Sequence, residues 1–239
     1  TRQLLGEHFV INHIKVDTMQ RSEDGTIKNA VRLHDGLYVE SVLIPTDTRI
    51  TACVSSQVGC SLNCSFCATA RLKRMRNLSP DEIFDQVLTI DQQSRLYYGR
   101  PLRNIVFMGM GEPLLNLEAV RKAIVVLTDK RGRNLSSRRI TVSTVGIVSG
   151  IYDLADNGPA VRLALSLTTA DEPLRRELMP ASSTNSLSDL RKAVSYYIEK
   201  TGKRVTLEAV LLSGKNMSEK NADALIAFAR DLDVYVDLI

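Results

Sequence analysis

"CSLNCSFCATA", residues 60–70, places Cys60, Cys64 and Cys67 within one short stretch. The only other cysteine, Cys53, lies just upstream in "TACVSSQVGC" (51–60). The segment before the cluster, "RITACV" (49–54), reads as a strand rich in β-branched residues, so the three thiols sit in a loop at a strand's end.

Working outward, strand and helix alternate from about residue 48. Further candidate strands are "NIVFM" (104–108), "RITVST" (139–144), "VRLALSL" (161–167), "RVTLEAVL" (204–211) and "VYVDLI" (234–239). Six strands alternating with helices predict an α/β fold, with a parallel sheet bent into an open or partial (β/α)6 barrel. An open doubly wound sheet is the competing arrangement. Upstream, residues 8–45 read as short strands broken by turns. "HFVINHIKV" (8–16) precedes Asp24-Gly25, and a second Asp-Gly stands at 35–36. The expected division is an N-terminal antiparallel β extension over 1–47 and a barrel core over 48–239, truncated at its sixth strand.

The helices carry local signals. Ser79-Pro80-Asp81-Glu82 combines a capping serine, a first-turn proline and an acidic third position, ahead of Ile83, Val87 and Ile90 on one face. Leu190, Val194 and Tyr197 repeat that spacing before Gly202, the expected stop. "SEKNADALIAFARDL" (218–232) presents Leu225, Phe228, Ala229 and Leu232.

Composition narrows the class. With 239 residues, 44% of them hydrophobic, the chain can bury a full core. No apolar run approaches the ~20 residues of a membrane span, and the N-terminal residues lack a signal-peptide layout. Three clustered cysteines out of four do not form a secreted disulfide framework, so a reducing cytoplasm is expected. The net charge of +4 permits a nucleic-acid partner without requiring one.

In a parallel sheet, function collects in the loops at the strands' C-terminal ends. The cysteine loop follows the first strand and "GMGEP" (109–113) the second. Ser143-Thr144 closes the third, and Ser166-Leu167-Thr168 the fourth. A structural zinc site normally takes four protein ligands, often as two CxxC-type pairs. Here the spacing is C-x3-C-x2-C with no second pair, and His8, His13 and His34 all precede the loop. Three thiolates suit an iron–sulfur cluster that keeps one iron open for a substrate. A zinc knot completed by Cys53 is the alternative. Phe66 would supply an apolar lid or ordinary core packing.

This spacing, with an aromatic just before the last cysteine, resembles the signature of the radical S-adenosylmethionine enzymes. There, three cysteines hold a 4Fe-4S cluster whose open iron is chelated by the methionine end of S-adenosylmethionine. "GMGEP" resembles that superfamily's Gly-Glu-Pro element; as plain punctuation the same residues make a turn. It is not a dinucleotide fingerprint, because position 114 is Leu.

A closer resemblance is carried by "CVSSQVGC", "RMRNLS", "FMGMGEPLLN", "ITVSTVGIV", "LALSL", "LRRELMP" and "VTLEAVLL", which occur in this order within residues 35–239. Together they resemble the RlmN/Cfr group of dual-cysteine RNA methyltransferases. The resemblance implies methylation of an adenosine in 23S ribosomal RNA, at carbon 2 in RlmN-type members (in some bacteria also of a tRNA adenosine) and at carbon 8 in Cfr-type members. It implies that Cys60, Cys64 and Cys67 hold the cluster and that Gly111 and Glu112 contact the methionine end. Ser143, Ser166, Leu167 and Thr168 would contact the rest of S-adenosylmethionine, with Thr168 standing where the group commonly has His. Glu40 matches the group's proton acceptor, and Cys53 its resolving cysteine. As residue types alone, Glu40 reads first as a solvated strand-end acid, and Cys53 equally well as a small buried hydrophobe.

The group's methyl-carrying cysteine lies beyond the sixth strand, so residues 1–239 are expected to bind both cofactors without completing transfer. The implied partners are ribosomal RNA or tRNA and an electron donor such as flavodoxin; a monomer with no membrane contact is expected. Arg71, Lys73, Arg74 and Arg76 follow the cysteine loop, and Lys130, Arg131, Arg133, Arg138 and Arg139 lead into the third strand. If both groups face the mouth of the barrel they neutralise phosphates; otherwise they form a solvated rim. Two other classes compete, a radical enzyme acting on a small molecule or peptide and a non-catalytic metal-stabilised RNA-binding module.

Overall fold

The computed structural model describes residues 14–239. Strands β1 (Lys15–Arg21), β2 (Ile27–Arg32) and β3 (Tyr38–Pro45) form an antiparallel ribbon. Most of the strand expected at 8–16 lies outside the described residues, and β1 runs on to Arg21. The Asp24-Gly25 turn forms as predicted, with the Thr26 N–H donating to Asp24 Oδ1 at 2.9 Å. At the second turn the Leu37 N–H donates to Asp35 Oδ1 at 3.1 Å.

The ribbon continues directly into the main sheet, because β3 pairs antiparallel with β4 (Ile50–Cys53). β5 (Gln57–Val58) and β6 (Arg76–Asn77) form a small separate pair that closes the base of the cysteine loop. Five parallel strands then follow β4: β7 (Asn104–Phe107), β8 (Ile140–Thr144), β9 (Arg162–Ser166), β10 (Val205–Ala209) and β11 (Val234–Leu238). The sheet order is β1-β2-β3-β4-β7-β8-β9-β10-β11. Each parallel strand is added on the same side of its predecessor. A doubly wound sheet would reverse direction at a switch point, so the order selects the singly wound, open barrel. Its edges are β1 and β11.

Alternation along the strands separates two faces. Ile50 and Ala52, Ile105 and Phe107, Ile140 and Val142, Leu163 and Leu165, and Val205 and Leu207 all enter one core cluster with the helices. Thr51, Cys53, Ser143, Ser166, Thr206 and Glu208 therefore face the opposite, concave side. A closed barrel fills that side with branched apolar layers. Here it is a trough that is polar at its C-terminal end, where Ser143, Ser166 and Glu208 stand.

The helices cover the apolar side. α1 (Pro80–Tyr98) starts as its sequence requires: Glu82 reaches back to accept the Ser79 N–H at 2.9 Å, and Ile83, Val87 and Ile90 are fully buried. α2 (Leu117–Thr128), α3 (Val148–Asn157) and the short α4 (Glu172–Leu178) follow. α5 (Leu187–Thr201) buries Leu190, Val194 and Tyr197 and ends at Gly202. The Tyr197 hydroxyl donates to the Val161 carbonyl at 3.0 Å, which removes the cost of burying it. Each such side chain contributes roughly 1.5–3 kcal/mol. α6 (Glu219–Ala229) stops three residues before Leu232, which packs on the core from the loop beyond. No described helix is long and apolar enough to cross a membrane.

Candidate active site

The loop after β7 is built against the segment after β4. Met110 O accepts the N–H groups of Ser56 and Gln57 at 2.9 and 3.1 Å, and Met110 N–H donates to Ser55 Oγ at 2.9 Å. Ser55 Oγ in turn donates to Glu40 O at 2.6 Å. Gly111 has φ +96, and a Cβ there would stand 2.5 Å from Gln57 Cβ, so only glycine fits. Gly109 is held equally close, with Ser55 N 2.8 Å from where its Cβ would be. Ser55 and Gln57, in a stretch the sequence marks only by resemblance, thus act as the floor of the GMGEP loop.

Glu112 projects from that floor and is 2% exposed. Its carboxylate accepts the N–H of Leu114 at 3.0 Å and of Val145 at 2.9 Å, while its own N–H donates to Gln57 Oε1 at 2.9 Å. Burial pushes its pKa up to about 7, against the pull of the backbone N–H groups. Next to it a second acid enters the trough. Glu208 of β10 accepts Ser143 Oγ at 3.1 Å and Ser166 Oγ at 3.3 Å, so three successive parallel strands meet at one carboxylate. Burial raises the Glu208 pKa, and the two hydroxyl bonds oppose that shift. Gly111, Glu112, Ser143, Ser166 and Glu208 line a cleft of about 300 Å³. The sequence reading missed Glu208. The available signal was a carboxylate at the C-terminal end of a parallel strand whose flanking residues alternate apolar and polar.

The cysteine loop packs on α4. Cys64 is buried with Leu178 and Met179, and the Ser65 N–H donates to Leu178 O at 2.8 Å. Phe66 belongs to this packing. Beneath it lies Arg175, 3% exposed. Its guanidinium donates to the carbonyls of Val145 (2.5 Å), Ser166 (3.3 Å) and Leu167, and to Met179 Sδ at 3.3 Å. Burial draws its pKa down to about 10, which leaves it charged at neutral pH. Arg175 is a second residue the sequence reading did not single out.

Cys53 closes β4, buried, with its thiol pushed up to about 11 by burial. Register places it opposite Val42 of β3, on the trough face. Glu40 is two residues from Val42 on that face; it lies within β3 rather than at a strand's end. Its half-exposed carboxylate pairs with Lys28 at 3.2 Å. Leu167 is fully buried in the apolar core, leaving its backbone for contacts. Thr168 has φ +59 and lines a neighbouring apolar pocket. His8 and His13 lie outside the described residues.

The basic groups divide. Arg76 is committed to Glu82 and Asp35, at 2.7 and 2.6 Å. Arg71 and Lys73 are exposed beside the cysteine loop. The second group does not face the mouth: Arg138 and Arg139 form the turn entering β8 at its N-terminal end, and Arg133 is bound to Asp91 at 2.7 Å.

Comparison with known proteins fits this arrangement. Residues 54–226 match the radical SAM superfamily. Over all 239 residues the chain is 59% identical to the "Probable dual-specificity RNA methyltransferase RlmN" of Flavobacterium psychrophilum, covering 69% of it. It is 58% identical to the protein of that name from Flavobacterium johnsoniae, covering 68%. The crystal structure of a radical SAM methyltransferase from Sphaerobacter thermophilus superposes with a TM-score of 0.96 at 40% identity, over 99% of this chain and 70% of that one. The fold and cysteine loop are those of a radical SAM enzyme. Within that superfamily the chain belongs to the RlmN family of RNA methyltransferases.

Membership implies a 4Fe-4S cluster and S-adenosylmethionine, and the residues present fit both. The four cysteines are free thiols. The Cys64 pKa is raised to about 11 by burial and then by Cys67 and Cys60, so the three thiols share one neighbourhood. Cys53 does not act on them. Among the described residues no three His, Cys, Asp or Glu side chains close around a single ion, as a zinc knot requires. A multi-iron cluster spreads its thiolates more widely. The polar cleft beside them offers carboxylates and hydroxyls to an amino acid and a ribose.

Proposed function

We propose that the protein methylates carbon 2 of an adenosine in 23S ribosomal RNA, with a tRNA adenosine as second target. Supporting this are the chain's membership of the RlmN family and the placement of Cys53 and Glu40 on the sheet face that also carries Glu208. Carbon 2 lies between ring nitrogens and is too electron-poor to attack a methyl sulfonium. The cluster and S-adenosylmethionine supply the radical chemistry that avoids this.

The chain's own residues divide the work. Cys60, Cys64 and Cys67 hold the cluster. Gly111 and Glu112 take the methionine end; Ser143, Ser166 and the Leu167-Thr168 backbone take the rest, and Glu208 accepts from the ribose hydroxyls. Glu40 removes the ring proton. Cys53 resolves the protein–RNA bond by forming a disulfide with a methyl-carrying cysteine outside residues 1–239. Arg71 and Lys73 meet phosphates at the mouth. A boundary near residue 47 separates the β extension from the catalytic core over 48–239, in a cytoplasmic monomer that draws electrons from a flavodoxin-type donor. The target base must be unstacked to reach the trough.

The test is methylation of 23S and tRNA transcripts by the full-length protein, reduced and supplied with methyl-labelled S-adenosylmethionine. Digestion should yield 2-methyladenosine. A label on carbon 8 would reassign the position, and no label on RNA would reject the reading.

A further inference from the structure

The trough has a lower end. Arg138, Arg162, Lys203 and Arg204 line a cleft of about 520 Å³ with Thr206, Asp233 and Tyr235. Pairing of Val205 with Leu163 sets Arg162 beside Arg204, and alternation puts both on the face that carries Ser166 and Glu208. Resting on the RNA reading above, we propose that this cleft is a second nucleic-acid site, in which these four cations hold backbone phosphate of the substrate RNA.

Charge carries the argument. Four cations share one carboxylate, Asp233, and that acid is taken up by Arg204. Arg138, Arg162 and Lys203 have no acidic partner among the described residues. Several surface cations elsewhere are paired, as in Lys122–Glu118 at 2.7 Å and Arg176–Glu172 at 3.0 Å, whereas here three unpaired cations share one cleft. Like charges on adjacent strands repel, so this arrangement costs stability unless an anion sits between them. Arg204 is also held in place: Asp233 takes its Nε–H and its guanidinium lies 4.4 Å from the Tyr235 ring centre, which leaves its terminal nitrogens for phosphate.

Geometry links the cleft to the reaction. Four residues of β9 separate Ser166 from Arg162, roughly 13 Å of strand. Ala164, between them on the same face, is fully buried, so the two clefts are separate and an RNA that engages both passes around the outside of the sheet. The protein would then hold the RNA at two points, its target base at the C-terminal end of the strands and a phosphate at the N-terminal end. Such phosphate contacts fix register without reading sequence.

The experiment measures binding of the full-length protein to a short target transcript by fluorescence anisotropy over a range of salt concentrations. The double variant Arg138→Gln/Arg162→Gln should bind at least tenfold more weakly. Its slope of log affinity against log salt should be shallower by about 1.4, or ~0.7 per lost single-strand contact. The double variant Arg138→Lys/Arg162→Lys, which keeps both charges, should retain most of the slope. An unchanged slope overturns the proposal, and the control measurements say why. A lower melting temperature with unchanged RNA binding would show that the cations only offset helix C-termini. Weakened docking of an acidic flavoprotein, again with unchanged RNA binding, would make the cleft a protein interface. Inorganic phosphate that binds there without competing with RNA would make it a small-anion site. A wild-type protein that binds no RNA would overturn the functional reading itself, an outcome distinct from failure of the variants alone.

Discussion

The carboxylate of Glu112 accepts the backbone N–H of Val145 at 2.9 Å, so one buried acid joins the loop after β7 to the end of β8. Burial holds its proton to about pH 7 in the folded chain, against an ordinary value of 4.5. Between those values the native state binds more protons than the unfolded one, so stability falls as pH rises through this window and then levels off. Glu112→Gln mimics the protonated acid. In cluster-free protein the variant should match the wild type at about pH 5 and exceed it in melting temperature at about pH 8. A pH-independent difference would mean that Glu112 does not titrate there. The variant should also bind S-adenosylmethionine more weakly, since a neutral amide attracts the methionine amino group less.

Arg175 is a buried cation with carbonyls rather than a carboxylate for partners. It ties the ends of β8 and β9 together beneath the cysteine loop. Arg175→Met removes the guanidinium from three carbonyls, of which that of Leu167 keeps the Thr169 N–H as donor, at about 1–3 kcal/mol for each one left unpaired. The melting temperature should fall by roughly 10 °C, and iron retention should fall with it as the Leu178–Met179 floor under Cys64 loosens. Arg175→Lys, with fewer donors, should be intermediate. Wild-type melting and iron content in the Met variant would remove Arg175 from the frame.

Glu208 tests the cleft from its other side. Ser143 and Ser166 aim it between them into the cleft that Glu112 also lines. Glu208→Ala in cluster-loaded protein should weaken S-adenosylmethionine binding at least tenfold, measured by equilibrium dialysis, with iron content unchanged. Equal affinity in variant and wild type would move the ribose elsewhere.

The strands, their parallel order and the cysteine loop were legible because each has a local signature: β-branched runs, caps and stops, and a spacing of thiols. Gly111 could be read as site or as turn, and the structure shows why it must be glycine. Glu208 and Arg175 were harder. A Glu in a strand and an Arg in a short helix look like surface residues, and only the register of β8 to β10 and the docking of α4 bury them. The basic run before β8 misled for the complementary reason. Charge is visible in sequence, but which end of a strand it marks depends on strand direction.

Cys53 decides whether the trough performs methyl transfer or only houses cofactors. Its thiol sits at the end of β4 on the trough face, apart from the three loop cysteines, and burial keeps it protonated, near pKa 11, in the free protein. An idle thiol of this kind takes no part in holding iron. In the full-length protein Cys53→Ala should therefore keep its cluster and still form deoxyadenosine from S-adenosylmethionine. It should fail at the final step, leaving protein covalently joined to RNA as a species that survives denaturation on a gel. Normal turnover would reduce Cys53 to a packing residue. Loss of iron would make it a metal ligand and return the four-cysteine site to consideration.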